Sequence, residues 1–185
     1  GSGLVFGTPE ARALRRHPAL AFDVNGSGQA LVLSEDGALR AIPLQGGGEL
    51  GVQEPLSIAP AARQAKLAYY QPGRAIAVWM ESALTVDEAL AAADDYPILS
   101  RNQRVAWATF DGESWGTKQF LTDPGTGSGH PTLVACPDWE AGCPAGGEVF
   151  LAWQQNESGN PFQPRYRIRY ATWLPAFGWT AVNEA

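Results

Sequence analysis

Three carboxylates in the middle of the chain are candidates for acid–base chemistry. Glu81 follows an apolar run that ends near Trp79, and Asp94 and Asp95 stand side by side further along. Two carboxyl groups can share the acid and base roles of glycoside hydrolysis when they lie less than ~10 Å apart. Spacing in sequence does not fix that distance, and no complete catalytic set accompanies these residues. They are therefore candidates only.

Two histidines, His17 and His130, each begin a segment that reads His-Pro-x-Leu. Equivalent positions in a repeat can bring two imidazoles together, where they could contact a ligand, bind a metal or transfer a proton. A zinc site needs a third protein ligand, and no matching position supplies one. The alternative is a capping or hydrogen-bonding role set by the following proline, and no metal site is predicted.

The segment that begins at Asp23 resembles the start of a calcium loop. Asp23 and Asn25 place oxygen ligands at alternate positions, as such loops do. The downstream glutamate and flanking helices of an EF-hand are missing. The alternative is an Asx turn between two strands, in which the Asp23 side chain bonds its own backbone. Calcium is the one cofactor that the sequence brings into consideration.

The only two cysteines, Cys136 and Cys143, lie in one turn-rich loop. Their spacing is too wide for a CxxC redox motif, and no further cysteine or histidine completes a zinc set. We predict a disulfide in preference to free thiols. Disulfides persist in oxidising compartments, so this favours an extracellular, cell-surface or periplasmic location.

Aromatic residues with polar neighbours form the remaining candidate site. Trp79 and Trp153 stand at equivalent places in two apolar runs, and carboxylate or amide side chains follow each. Such a combination suits sugar or peptide recognition, because a ring face stacks while polar edges orient the ligand. Alternatively, both tryptophans fill gaps between sheets. The candidate ligand-binding residues are Trp79, Glu81, Tyr96, Trp153, Gln154, Asn156, His17 and His130.

The composition indicates which fold must position these residues. Charged residues make up only 17% of the 185 residues, whereas the chain holds 21 Gly, 14 Pro and 7 Trp. Many turn residues and few charges are typical of an all-β protein with short strands. A net charge of −6 without a basic stripe argues against nucleic-acid binding. No apolar run approaches the ~18 residues of a membrane span.

A strand pattern recurs along the chain and predicts its architecture. Apolar runs at 29–33, 74–79 and 148–153 each follow a Leu-containing strand, and the pattern aromatic-Ala-Thr-aromatic occurs at 107–110 and 170–173. More polar outer strands are expected at about 50–58, 115–121 and 179–183. Repeated four-stranded antiparallel units are typical of β-propeller blades. The predicted divisions are an N-terminal segment at 1–16 and blades at 17–64, 65–129 and 130–185.

Three blades do not close a propeller, which usually has four to eight. Either the chain is part of a longer protein, as the missing start Met suggests, or copies associate to complete the ring. Leu4-Val5-Phe6 is a candidate outer strand of a preceding blade.

One helix is predicted at 85–96, inserted between the second and third strands of the second unit. Thr85 and Glu88 form a capping box, an alanine run favours helix, and Pro97 is expected to end it. The glycine-rich segment 123–129 and the proline-containing segment 156–164 are expected on the same side of the blades. Insertions on one face of a repeat array often form the binding face. The alternative for the helix is a short lid that covers the edge of the core.

The segment Thr109-Phe110-Asp111-Gly112-Glu113-Ser114-Trp115 resembles a degenerate Asp-box, the hairpin motif that marks the blades of sialidase-like propellers. The motif implies a structural role, in which Asp111 caps the amides of the turn and Trp115 packs into the blade. The arginine and tyrosine set of sialidase-like enzymes does not appear as a motif, so the resemblance implies a scaffold and leaves catalysis open.

Together these features predict a non-catalytic binding or adhesion module that recognises a glycan or a protein partner. The first alternative is a sialidase-like or other glycoside hydrolase whose site is completed by further blades or a second copy. The second is a structural segment of a larger assembly. Sheet edges that pair with neighbours would then be its main feature.

Overall fold

The computed structural model describes residues 18–34, 38–44, 54–57, 62–92, 94–125 and 127–185. These residues form three antiparallel sheets and two short helices, which confirms the all-β class. His17, the N-terminal segment 1–16 and its candidate strand Leu4-Val5-Phe6 lie outside the described residues.

The first four strands of each sheet form a meander in which they are paired in chain order. Sheet 1 contains β1 (Ala19–Phe22), β2 (Gly28–Leu33), β3 (Leu39–Leu44) and β4 (Glu54–Ser57). Sheet 2 contains β5 (Arg63–Gln71), β6 (Arg74–Ser82), β7 (Gln103–Phe110) and β8 (Gln119–Phe120). Sheet 3 contains β9 (Ser128–Cys136), β10 (Glu148–Asn156), β11 (Tyr166–Leu174) and β12 (Gly178–Trp179). A further strand, β13 (Asn183–Glu184), pairs with β11.

Sheet 2 lies between the other two sheets and buries both of its faces. Alternate side chains of a strand point to opposite faces, so neighbouring residues enter different cores. Ala77 and Trp79 pack with Leu31 of sheet 1 in one core cluster. Val78 packs with Leu151 of sheet 3 in the other. Burial on both faces explains the nearly continuous apolar sequence of β6, where every residue from 75 to 82 is buried.

The outer strands are shorter than the sequence predicts. β4, β8 and β12 contain four, two and two residues. Trp115, expected to begin an outer strand, forms only an isolated bridge with Phe110. Its indole is nevertheless buried and lies 5.4 Å from the Phe110 ring. These segments therefore contribute side chains to the core more than backbone to the sheets.

The prediction of a single helix at 85–96 is wrong. The described part of the chain contains two helices, α1 (Val86–Ala91) and α2 (Tyr96–Arg101). The capping box of Thr85 and Glu88 is present as predicted. Asp95 then caps a second helix by accepting a hydrogen bond from Ile98 N. Pro97 lies in the first turn of α2, where its missing N–H costs nothing, so it starts a helix instead of ending one.

The predicted disulfide between Cys136 and Cys143 is present. Its loop packs against sheet 2, because Asp138 N donates to Tyr70 O over 3.0 Å. Gly147 follows with φ +70°, and a Cβ at this position would lie 2.1 Å from the same carbonyl oxygen. The close approach of two backbones therefore requires glycine here.

The variants Gly147→Ala and Gly142→Ala should separate this close approach from backbone strain. Both glycines have positive φ, but a Cβ at Gly142 would meet no atom within 4 Å. We expect Gly142→Ala to lower the free energy of unfolding by about 1–2 kcal/mol and Gly147→Ala by roughly twice as much. Urea titration measures both, and equal losses would contradict the contact.

Candidate functional site

The longest connection between strands lies at one end of the sheets. β6 ends at Ser82 and β7 begins at Gln103, so the connection 83–102, which we call the insertion, leaves from this end. In sheet 3, the last residues of β10, which ends at Asn156, lie beside the first residues of β9. The loop 157–165 therefore leaves sheet 3 at the same end at which the connection from sheet 2 enters it. The register thus directs these segments toward a common surface.

Backbone hydrogen bonds join the segments into one surface. Ala83 N donates to Asn102 O over 2.7 Å and closes the base of the insertion. Gly127 N donates to Arg101 O over 3.0 Å, and Asn156 N donates to Gly127 O over 3.3 Å. The connection between sheets 2 and 3 therefore lies between the insertion and the loop of sheet 3. We call this surface the helix-bearing end.

Asn156, a predicted ligand residue, shapes its own loop. The residue is buried, and its Oδ1 accepts hydrogen bonds from Ser158 N, Ser158 Oγ and Arg165 N. Its Nδ2 donates to Asn160 O over 3.1 Å. A side chain with these contacts fixes the path of the loop, and that path determines where the neighbouring Phe162 lies.

Two exposed aromatic rings lie close together at the helix-bearing end. Tyr96 is 59% exposed and Phe162 is 72% exposed, and their ring centroids lie 6.2 Å apart. Neither helix buries a residue, and α1 exposes Val86 and Leu90 one turn apart. Apolar side chains contributed by two separate segments thus face solvent together, which is typical of a binding surface.

The same end is acidic. Four carboxylates of the insertion, at Asp87, Glu88, Asp94 and Asp95, are exposed, against one basic residue, Arg101. Hydrogen bonds from the backbone and the hydroxyl of Thr85 lower the pKa of Glu88, so this carboxylate remains charged at neutral pH. An apolar patch beside negative charge suits a partner of apolar and basic chemistry.

Glu81 lies in a different environment from the other two catalytic candidates. It is 2% exposed, and its Oε2 accepts hydrogen bonds from Ser57 Oγ at 2.6 Å and Trp79 Nε1 at 2.9 Å. Its Oε1 pairs with Lys118 Nζ at 2.5 Å. These contacts connect β4 of sheet 1 with β6 and the segment before β8. The carboxylate joins two sheets, whereas Asp94 is exposed and Asp95 caps α2.

The two tryptophans predicted to stack on a ligand are inside the protein. Trp79 is 0% exposed and Trp153 is 1% exposed, so neither ring presents a face to solvent. Each fills the space between two sheets. Gln154 is half-buried and lies on the opposite face of sheet 3 from Trp153. The structure therefore does not bring these three residues to the exposed pair Tyr96 and Phe162.

His130 lies at the start of β9, with its ring exposed and its backbone in the left-handed region at φ 52°. Gln64 occupies the corresponding place in β5 and has φ 55°. It lies three residues before Leu67, as His130 lies three residues before Leu133. Gln64 Oε1 accepts a hydrogen bond from His130 N over 3.0 Å. The second unit thus has glutamine where the other two have histidine, and this contact ties sheet 2 to sheet 3.

Asp23, the calcium candidate, is buried at the opposite end of the sheets. Its carboxylate accepts hydrogen bonds from the backbone N–H groups of Asn25, Ser27 and Gly73. Two of these bonds form an Asx turn, and the third holds the turn between β5 and β6. Within the described ranges, no group of three or more His, Cys, Asp or Glu residues is placed to hold a metal ion.

The turn of the Asp-box-like segment has the predicted contacts. Asp111 Oδ1 accepts hydrogen bonds from Glu113 N and Ser114 N. These bonds, with that of Ser114 the largest cause, lower the pKa of Asp111. The carboxylate therefore caps the turn while Trp115 is buried next to it.

Sequence reasoning missed the partners that act at these sites. Lys118 and Ser57 converge on Glu81 from distant parts of the chain, and Phe162 reaches Tyr96 across 66 residues. The only available signal was for Phe162, which is an aromatic residue within the predicted loop segment 156–164.

No protein-family model matches the sequence, and no curated protein matches it significantly. No helix among the described residues is long and apolar enough to cross a membrane.

Removal of the cation from the Glu81 cluster should destabilise the protein. Lys118→Met leaves a buried carboxylate without its counter-charge, and we expect a loss of about 2–3 kcal/mol because Lys118 is itself part exposed. The double variant Lys118→Met with Glu81→Gln should recover part of this loss. Lys66→Met, at an exposed lysine, is the matched control. Chemical denaturation that finds Lys118→Met as stable as the control would contradict the role of the pair.

Alkaline pH should weaken the packing around Asp23. Burial and the Asp23 carboxylate raise the pKa of Tyr69 to about 12, from 10.0 in the unfolded chain. Below about pH 10 the phenol is protonated in both the folded and the unfolded state, so its full contribution to the free energy of unfolding is present. That contribution is lost as the pH rises toward about 12. Tyr69→Phe should therefore show a shallower loss of stability than the wild type.

Urea midpoints measured on both sides of this pH window provide the comparison. Burial also raises the pKa of Tyr70, so part of the pH dependence of stability remains in the Tyr69→Phe variant. Tyr166→Phe removes an exposed hydroxyl and serves as the control. Parallel pH profiles for wild type and Tyr69→Phe would show that Tyr69 does not cause the effect.

Proposed function

We propose that the three sheets are consecutive blades of a β-propeller. Each sheet contains a four-strand meander, and the first strands lie side by side, with β1 next to β5 and β5 next to β9. First strands that gather along one axis are expected of blades that radiate from a centre. Sheets 2 and 3 also pack on the preceding sheet with equivalent faces, since Trp79 faces sheet 1 and Trp153 faces sheet 2.

We further propose that the helix-bearing end binds a protein partner and has no catalytic role. The observation that carries this proposal is the convergence of Tyr96 and Phe162, two exposed aromatic residues from different blades, on one hydrogen-bonded surface. Rings that are held in place by packed loops lose little entropy on binding, and aromatic residues dominate the energetics of interfaces.

A protein fits this surface better than a glycan does. The two helices of the insertion also expose aliphatic side chains, at Val86, Leu90 and Ile98, which can form contacts with apolar side chains of a partner. A sugar site would need several convergent hydrogen-bonding groups, but Asn156 is engaged in its own loop. The four exposed carboxylates of the insertion favour a partner with lysine or arginine around its apolar residues.

The proposed location is an oxidising compartment outside the cytosol. The disulfide between Cys136 and Cys143 supports this assignment, because such bonds are rare where thiols are kept reduced. A binding module at a cell surface or in an extracellular assembly would meet its partner there.

A random-peptide display library and a glycan array, each probed with the purified chain, test the proposal. We expect selected peptides to combine apolar with basic residues and to bind less tightly as salt concentration rises. Tyr96→Ser and Phe162→Ser should each weaken binding about tenfold or more, as truncation of an interface aromatic does. Phe177→Ser changes a phenylalanine that is 85% exposed in a distant turn and is the matched control.

Three other outcomes would count against the proposal. Glycan binding that is lost in Tyr96→Ser and Phe162→Ser would replace the protein partner with a sugar at the same surface. Peptide binding that all three variants retain would place the site elsewhere. Turnover of a glycoside substrate by the wild-type chain would favour an enzyme.

A further inference from the structure

A cleft lies between sheets 1 and 2, at the end of the sheets opposite the helix-bearing end. Its volume is about 400 Å³, which falls within the ~300–1,000 Å³ of small-ligand sites. Sheet 1 contributes the turn between β1 and β2 together with the adjoining ends of β2 and β3. Sheet 2 contributes Tyr69 of β5, Phe110 of β7 and the turns that follow these strands. The lining of the cleft therefore shares no residue with the helix-bearing end.

A buried carboxylate holds the two walls of the cleft together. Asp23 Oδ1 accepts hydrogen bonds from Asn25 N and Ser27 N, each over 2.9 Å, and fixes the turn of sheet 1. Asp23 Oδ2 accepts a hydrogen bond from Gly73 N over 2.9 Å and joins that turn to sheet 2. A site whose walls are already fixed loses little conformational entropy when a ligand binds. The cleft is therefore formed before any ligand enters it.

Gln29 contributes a buried amide to the lining of the cleft. The residue is 3% exposed, and its Oε1 has no hydrogen-bond partner in the described part of the chain. An amide oxygen that is buried without a partner costs free energy, and a ligand that donates a hydrogen bond to it would recover part of that cost. The amide can also rotate about its terminal bond, which exchanges Oε1 with Nε2. Gln29 can therefore accept a hydrogen bond from a ligand or donate one to it.

The other polar groups of the lining indicate a neutral ligand. None of the described residues that line the cleft is charged at neutral pH. Asn25 and Ser27 are exposed, and each can both donate and accept hydrogen bonds. Burial and the Asp23 carboxylate raise the pKa of Tyr69 to about 12, so its phenol keeps a proton to donate. Groups that both donate and accept are suited to hydroxyls, which do the same.

Apolar side chains complete the lining. Pro43, Leu44 and Phe110 are half-buried, so part of each remains open to a ligand. An apolar surface beside a few polar groups is the usual composition of a small-molecule site. A sugar ring has an apolar face of C–H groups and hydroxyls along its edge. This combination matches a lining of apolar side chains, amides and hydroxyls without charge.

We propose that the cleft between sheets 1 and 2 binds a neutral saccharide of one or two units. The amide of Gln29 and the phenol of Tyr69 would form hydrogen bonds with its hydroxyls, while the ring packs against the apolar side chains of the cleft. The glycan partner left open by the sequence thus has a site far from the two tryptophans predicted for it. This site is separate from the protein-binding surface proposed for the helix-bearing end.

Ligand-observed saturation-transfer NMR with glucose, galactose, mannose, N-acetylglucosamine and lactose tests the proposal. We expect at least one of these sugars to bind the wild-type chain. Gln29→Leu should weaken that binding about tenfold, and Tyr69→Phe about fivefold, because each removes one hydrogen-bonding group. Gln154→Leu makes the same change at a half-buried glutamine of sheet 3 outside the cleft, and this matched control should bind as the wild type does.

Two further measurements separate a binding site from a structural role. Gln29→Leu removes a buried amide oxygen without a partner, so its urea midpoint should equal or exceed that of the wild type. Loss of sugar binding in a variant of unchanged stability would then arise in the cleft. In the wild-type chain, the backbone amide signals of Gly73 and Gly112 should shift during the titration, whereas those of α1 and α2 should not.

Several results would overturn this proposal. A wild-type chain that binds none of the five sugars at millimolar concentration would show that the cleft is not a saccharide site. Binding that both Gln29→Leu and Tyr69→Phe retain would place the sugar elsewhere. A lower urea midpoint in Gln29→Leu would show that the amide is already satisfied in the folded protein. None of these results bears on peptide binding at the helix-bearing end, which is assayed separately.

Discussion

The burial of sheet 2 on both faces is the constraint on which the rest of the structure depends. A sheet covered on one side can alternate apolar and polar residues, but β6 must be apolar on both sides. Its residues therefore divide between two cores, with Trp79 directed to sheet 1 and Val78 directed to sheet 3. Trp153 repeats the position of Trp79 one sheet further along, so the two cores are built in the same way. This packing sets the order of the sheets and determines which residues remain for other roles.

Polar groups fix the position of the sheets that the apolar cores hold together. Glu81 accepts hydrogen bonds from Ser57 and Trp79 and pairs with Lys118, which joins sheet 2 to sheet 1. At the opposite end of the sheets, Asp23 of sheet 1 accepts a hydrogen bond from Gly73 N in the turn between β5 and β6 of sheet 2. Gln64 reaches His130 and joins sheet 2 to sheet 3. Dispersion and the hydrophobic effect are not directional, whereas these contacts have a defined geometry and select one arrangement.

The acidic and aromatic side chains of the chain have separate roles because of this arrangement. The carboxylates of Glu81 and Asp23 are buried and satisfied, and most tryptophans pack between sheets, so these groups stabilise the scaffold. The two helices of the insertion do not contribute to the cores, since neither of them buries a residue. Its exposed Tyr96, together with Phe162, is therefore available for recognition. Short helices held by caps and by a few backbone hydrogen bonds are suited to this role, because changes in their exposed residues leave the cores intact.

The sequence by itself determined the features that arise from local pattern. Apolar runs placed the inner strands, the spacing of Cys136 and Cys143 predicted the disulfide, and Thr85 with Glu88 predicted the start of α1, since each depends on neighbours in the chain. The break after Ala91 was missed because Asp95 competes as a cap and Pro97 is tolerated in a first turn. Only the tertiary structure decided the role of Glu81 and the meeting of Tyr96 with Phe162. Those contacts join residues far apart in the chain, and their distances depend on how the sheets pack, which no local spacing encodes.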